Sequence, residues 1–207
     1  GLQSETSKLV TALRRPEVRG RWGEMTLRNA VEMVGMSEHC DFIEQHSVAT
    51  ETGVLRPDMV VRLPGGGTIV VDNKVPMDAY LQALDATDPV VREQCLRNHA
   101  AQCRKHIGDL AKKAYWDQFE SSPNCVVMFI PMESLYAAAL EADGDLMRGA
   151  FESRVVIATP ATFIALLHTV AHGWSQQTLA DNLLEVRRLA GEFYSRLLTF
   201  AGHFTGV

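Results

Sequence analysis

No stretch of this 207-residue chain approaches the roughly 18 consecutive apolar residues that a membrane-spanning helix needs. Its opening, GLQSETSKLV, is polar and does not read as a signal peptide. Gly1 stands where an initiating Met would be, so a fragment is expected, with room upstream for a coiled coil or an anchor. Cysteine is sparse: Cys40, Cys95, Cys103 and Cys125 are scattered with no C-x-x-C pair, which excludes a zinc clamp and suits reduced thiols in a cytosolic protein. The seven histidines are dispersed too. His168 and His172 have the i, i+4 spacing of a helical metal pair, but the Glu of an H-E-x-x-H motif is missing. No G-x-S-x-G is present, which leaves a serine-hydrolase reading without a nucleophile. There is no excess of positive charge: the net charge is −5 and the pI near 5.8. A chain that coats nucleic acid nonspecifically is excluded, although a nuclease with a local basic groove is not. Repeats and low-complexity linkers are absent.

What remains is an ordinary globular composition, 46% hydrophobic and 22% charged, enough for one domain with a packed core. Ser4–Arg14 reads as the end of a helix, and Pro16–Gly20 as a break. From Trp22 to Gly35 the apolar positions recur at helical spacing, with Glu24 in the first turn, where a carboxylate suits the helix dipole. Phe42–Val48 alternates as a short strand. Met59–Leu63 and Thr68–Val71 are two strands joined by Pro64 and three glycines. A long helix follows from about Pro89 to Lys113. CVVMFI (Cys125–Ile130) is a continuous apolar run that suits a strand buried on both faces. Glu133–Glu141 and Asp145–Glu152 are helical, Val155–Ala158 is a strand, and two helices run from Thr162 to about Trp174 and from Leu179 to about Phe200. Helix, three strands, helix, strand, helices, strand, helices predicts an α/β fold, with a mixed central β-sheet flanked by helices and additional C-terminal helices.

Chemistry-bearing residues gather at the open end of the predicted hairpin. Pro57-Asp58 heads its first strand and Asp72-Asn73-Lys74 ends its second. A hairpin brings those ends together, so Asp58 and Asp72 can meet. Strand alternation puts Asp72 and Lys74 on one face, separated by roughly 6–7 Å of rise. Two carboxylates and a lysine suit a hard divalent cation and a phosphate, and Glu24 is an upstream candidate to join them. Solvated polarity at a strand end is the other reading, because D-x-K tripeptides are common by chance. Arg14, Arg15, Arg19 and Arg21 form one basic stretch, and Arg104, Lys105, Lys112 and Lys113 another. Either can be a solvated face or a phosphate track.

The order of elements is also that of the PD-(D/E)xK nuclease core, the restriction-endonuclease-like arrangement in which a helix carries an acid and a hairpin carries the two remaining acids and the lysine. More specifically, the chain resembles the RmuC family of bacterial proteins associated with DNA recombination. The resemblance lies in RGRWGE (Arg19–Glu24), RPDMVVRLPGG (Arg56–Gly66), VDNKVPMDAY (Val71–Tyr80) and HIGDLAKKAYW (His106–Trp116). It continues in VVMFIPMES (Val126–Ser134), VVIATPATFIALLHTVAHGW (Val155–Trp174) and FYSRLLTFAGHF (Phe193–Phe204). The resemblance implies residues 1–15 as the end of an upstream helix or coiled coil and 16–207 as a nuclease-like domain. It also implies a cytoplasmic-side location in a bacterial cell, with an anchor to the inner membrane supplied upstream, and self-association through the coiled coil.

The activity implied is metal-dependent hydrolysis of DNA in recombination, rearrangement control or defence against foreign DNA. Asp58 and Asp72 would be ligands of Mg²⁺ or Mn²⁺, joined by the main-chain carbonyl of Asn73 and by Glu24, directly or through water. Lys74 would orient the attacking water or neutralise the scissile phosphate. Glu133 is a secondary candidate, with an equal claim as the first-turn acid of its helix. Arg19, Arg21, Lys112 and Lys113 would contact DNA. Tyr80, Tyr115 and Trp116 could stack on bases or fill the core. One departure stands out: the family tends to have Ser where this chain has Asn73. A carbonyl ligand tolerates that change, with altered local hydrogen bonding. The alternative is a DNA-binding or scaffolding module that keeps the fold without catalysis.

Overall fold

The computed structural model describes residues 12–36, 41–44, 48–50, 53–62, 67–73, 76–117, 124–169, 187–189 and 192. In chain order the elements are α1 (Pro16–Met33), β1 (Phe42–Glu44), β2 (Val48–Thr50), β3 (Gly53–Leu55), β4 (Met59–Arg62), β5 (Thr68–Asn73), α2 (Asp78–Asp85), α3 (Pro89–Lys113), β6 (Val126–Phe129), α4 (Glu133–Ala142), α5 (Leu146–Glu152) and β7 (Val155–Ala158). A helical segment over residues 160–169 follows.

Five strands form a mixed sheet in the order β1-β4-β5-β6-β7, while β2 and β3 pair separately as a small hairpin. The first three strands are antiparallel, and β6 and β7 run parallel to β5. Parallel neighbours need crossovers. Helices α2 and α3 supply one, between β5 and β6, and α4 and α5 supply the other. The central strands are apolar on both faces because both faces are covered. Alternation along β5 shows this: Val70 packs with Leu81, Ile107, Leu110 and Leu135 on the α2–α5 side. Ile69 and Val71 pack with Leu27, Val31, Phe163 and Leu167 on the α1 side. The fold is α/β with the sheet between two helical layers. Among the described residues, no helix is long and apolar enough to cross a membrane.

Several local expectations change. A helix does end before Pro16, with helical residues 12–13 followed by a turn and bend at 14–15, but the break is shorter than expected: Pro16 starts α1, in the first turn, where its missing N–H has no partner to lose. Glu24 therefore lies inside the helix, and Glu17 is the first-turn acid. The expected strand Phe42–Val48 divides into β1 and the start of β2. Strand β5 extends to Asn73, so Asp72 sits inside the strand and not beyond it. Helix α2 is an element that the sequence reading does not include. The helix expected to Trp174 is described to residue 169. Residues 1–11, Cys40 and His172 lie outside the described residues, as does the Leu179–Phe200 helix apart from residues 187–189 and 192.

Helix α3 has a firm start and a strained stop. Asp88 caps it, its carboxylate accepting from the Val90 N–H at 2.8 Å, with Pro89 in the first turn. Its C-terminal residue Ala114 is left-handed, at φ 42° and ψ 48°, where glycine is ordinarily favoured. Replacing Ala114 with Gly should stabilise the fold by about 1 kcal/mol by relieving the Cβ strain. Urea unfolding checks this, and equal or lower stability would show that the turn is unstrained.

Candidate metal centre at the end of the β4–β5 hairpin

Strand register decides which side chains can meet. Met59 pairs with Val71, so one step outward Asp58 stands across from Asp72 at the open end of the hairpin. Asp58 lies in a bend just before β4. Its Oδ2 accepts a hydrogen bond from the Asn73 N–H at 2.6 Å. That contact ties the Asp58 carboxylate to the peptide directly after Asp72. Ladder N–H groups lie in the plane of the sheet, so this carboxylate sits at the strand end, between the two faces. On the α1 side, Asp58 lines a small cleft with Glu24, Leu27, Glu44 and Met59. Glu24 is exposed and shares this cleft with Asp58. Nothing in the sequence singles out Glu44; it is held by Arg28, whose Nε donates to Oε1 at 2.9 Å and whose Nη2 pairs with Oε2.

The Asp72 side chain points to the other side, into the layer of α3, so the expected gathering of Glu24, Asp58 and Asp72 on one face is not seen: Glu24 shares its cleft with Asp58 alone. It is only 2% exposed. Lys113 Nζ lies 3.0 Å from Oδ1 and 3.0 Å from the Tyr115 hydroxyl oxygen. The Tyr115 O–H also donates to Oδ1, at 3.3 Å. The left-handed Ala114 between Lys113 and Tyr115 is what turns the chain so that both converge on one carboxylate oxygen. The second oxygen, Oδ2, is buried and has no hydrogen-bond partner among the described residues, an arrangement that native proteins rarely leave without a reason. Asn73 packs its side chain against α1 at Gly23, where an added Cβ would stand 2.3 Å from Asn73 Nδ2. A bare backbone at Gly23 is what lets α1 come this close to the strand end.

Electrostatics follow from this packing. Burial works against the Lys113 ammonium, but the Tyr115 hydroxyl and the Asp72 carboxylate outweigh it, and its pKa is raised. Burial raises the Tyr115 pKa, helped by the negative Asp72 and opposed by Lys113.

The other expected residues are more dispersed. Arg19 pairs with Asp78 at 2.7 Å, Arg21 is exposed, and Lys112 is exposed, with Asp109 4.0 Å away. Lys113, expected on a DNA-facing rim, is turned inward to Asp72. Glu133 is the first-turn acid of α4 and accepts from the Ala161 N–H at 3.2 Å. Tyr115 is fully buried, Trp116 lies under the Arg154 guanidinium at 5.6 Å, and Tyr80 packs near His99. Lys74 lies outside the described residues. Among the described residues, no three His, Cys, Asp or Glu side chains gather around a single metal position. Any cation at the hairpin end would have at most two aspartates and the Asn73 carbonyl as protein donors among the described residues. Mg²⁺ is commonly held in that way, by one or two carboxylates with the rest of its shell water and phosphate.

The model of the RmuC family matches residues 1–207. A protein from Zymomonas mobilis, named DNA recombination protein RmuC homolog, is 44% identical over 207 residues, covering 100% of this chain and 46% of that protein. Proteins of the same name from Chlamydia trachomatis and Pseudomonas aeruginosa are 36% and 33% identical, over 100% and 96% of this chain and 46% and 44% of their own lengths. The chain thus spans about half the length of the curated relatives it matches. No solved structure matches it.

The Lys113–Tyr115–Asp72 contact has a pH signature. Lys113 and Tyr115 both bind their protons more tightly in the folded chain, with pKa values above the ordinary 10.5 and 10.0. Their stabilisation is complete below the unfolded-state values and is lost as pH rises through the folded ones. Unfolding free energy followed from about pH 8 to about pH 11 should therefore fall less steeply at the alkaline end in Lys113→Met than in the native chain. Parallel curves would mean that the contact does not form in solution.

Proposed function

The chain belongs to the RmuC family, and from that membership and the two aspartates at the hairpin end we propose that it hydrolyses DNA phosphodiester bonds with Mg²⁺ or Mn²⁺ in DNA recombination. The observation that carries the reading is the buried Oδ2 of Asp72, unpartnered among the described residues, beside an Asp58 carboxylate bound to the next residue's N–H. A buried charged oxygen without a partner is expensive, and a hard cation is the partner that suits it. The element order supports a restriction-endonuclease-like core: α1 carries Glu24, the β4–β5 hairpin carries Asp58 and Asp72, and the crossover helix α3 leads to the buried strand β6.

In this reading the cation, when bound, activates a water and neutralises charge on the phosphate. Asp58 and Asp72 hold it with the carbonyl of Asn73, and Glu24 contributes through water from the α1 side. Lys74 is assigned to the phosphate by the D-x-K pattern of the sequence. Arg19, Arg21 and Lys112 are assigned to the DNA backbone by the basic stretches of the sequence; Arg19, whose side chain is 16% exposed, must leave Asp78 to serve there. Glu133 keeps a structural role as a cap.

Wild type, Asp72→Asn and Lys74→Ala, purified identically and incubated with supercoiled, linear and branched DNA plus Mn²⁺, test the proposal. Wild type should cleave, and both variants should fall to background; Lys74→Ala should unfold like wild type, and Asp72→Asn should remain folded while losing the ion pair with Lys113. Asp72→Asn keeps the side-chain volume and removes the charge the cation needs. Equal cleavage by all three would mark a contaminating nuclease and remove the assignment. DNA binding by wild type with no cleavage under any condition would favour the scaffolding alternative.

A further inference from the structure

The least expected contact in the site is the lysine on Asp72. The sequence pattern puts Lys113 on a surface facing DNA, yet its ammonium sits 3.0 Å from a carboxylate that is otherwise sealed from water. We propose that Lys113 is the resident counter-ion of this site: it balances the charge of Asp72 while no divalent cation is bound, and gives up the carboxylate when one binds. The inference rests on the metal-dependent reading above and adds to it a device that sets cation affinity.

Three features of the geometry carry it. The first is the asymmetry of Asp72. Oδ1 receives both Lys113 and Tyr115, while Oδ2 is buried and receives nothing from the described residues. The lysine therefore neutralises the carboxylate without occupying the buried Oδ2, and a cation reaching Oδ2 meets a positive charge across the same carboxylate. Like charges at such separation repel strongly where water is excluded. The second is the freedom of the lysine to leave. The Lys113 side chain is 31% exposed, sits in the last turn of α3 and is a single charge on a flexible stem. It can withdraw toward solvent without disturbing the core. Tyr115, by contrast, is fully buried and remains as the hydrogen-bond donor to Oδ1. The third is charge balance. Asp72 lies in the core and would be a buried, uncompensated anion in the metal-free chain without Lys113. A lysine serves both states, since it stabilises the empty site and can be displaced by a doubly charged ion.

Released from Asp72, the ammonium stays at the mouth of the site on its tether, where the chemistry it suits is a phosphate oxygen. Cation arrival would then be coupled to DNA capture: the same lysine that resists the ion becomes a DNA-backbone contact once the ion is in place. A cation concentration too low to displace Lys113 would leave the site closed to phosphate.

Cation affinity, measured apart from any cleavage, is the test. Mn²⁺ titration calorimetry is run on wild type, Lys113→Gln, Lys113→Met, Lys113→Arg and Asp72→Asn. The neutral variants should bind Mn²⁺ about tenfold or more tightly than wild type because the repulsion is gone. Lys113→Arg should stay near wild type. Thermal unfolding should show the neutral variants less stable than wild type without Mn²⁺ and gaining more from it. Lys113→Gln keeps a hydrogen-bond donor for Oδ1, so it carries the comparison if Lys113→Met does not fold. Mn²⁺ binding by wild type that is unchanged or weakened in Lys113→Gln would overturn the counter-ion role and leave the cation site standing. No Mn²⁺ binding by wild type, with Asp72→Asn indistinguishable from it, would remove the cation site and the counter-ion role together.

Discussion

The constraint on which the site depends is a carboxylate buried inside the central strand of the sheet. Asp72 is 2% exposed and flanked by β4 and β6. A charge in that position must be compensated, and the chain compensates it from the far end of a 25-residue helix. Helix α3 delivers Lys113, the left-handed Ala114 redirects the backbone, and Tyr115 closes the triangle. The stop of α3 thus brings two side chains onto Asp72, through a nonglycine residue at φ 42°.

The opposite side of the strand end is built by close approach. Gly23 lets α1 come against Asn73, and the bend at Asp58 turns its carboxylate to the Asn73 N–H. Asn73 is therefore gripped by a helix on its side chain and by a carboxylate on its backbone. Both contacts hold the strand end at Asn73 in place. The Asn73 side chain fills the space that the missing Cβ of Gly23 leaves.

Much of this is legible in the sequence, for identifiable reasons. The hairpin shows because a proline and three glycines separate two apolar runs, and strand β6 shows because a strand buried on both faces has no polar interruption. The placement of Asp58 across from Asp72 follows from hairpin register alone. Other features mislead where one residue type serves two purposes. Pro16 ends helices in some contexts and starts them in others. Asp72 resembles a loop residue until tertiary packing encloses it. Glu44 is an ordinary polar position in a short strand until Arg28 orients it. Lys113 looks like part of a basic surface because its partner lies 41 positions away, and no local pattern in the sequence records a contact of that separation.

A hard divalent cation shared by Asp58 and Asp72 would be visible directly in a crystal. The most direct measurement is anomalous diffraction from a crystal of this chain grown with Mn²⁺. An anomalous peak is expected between the two carboxylates, within coordination distance of Asp72 Oδ2 and with the Asn73 carbonyl among its neighbours. A fully ordered hairpin end with no peak there at millimolar Mn²⁺, or a peak bound elsewhere while Asp72 keeps Lys113, would contradict it.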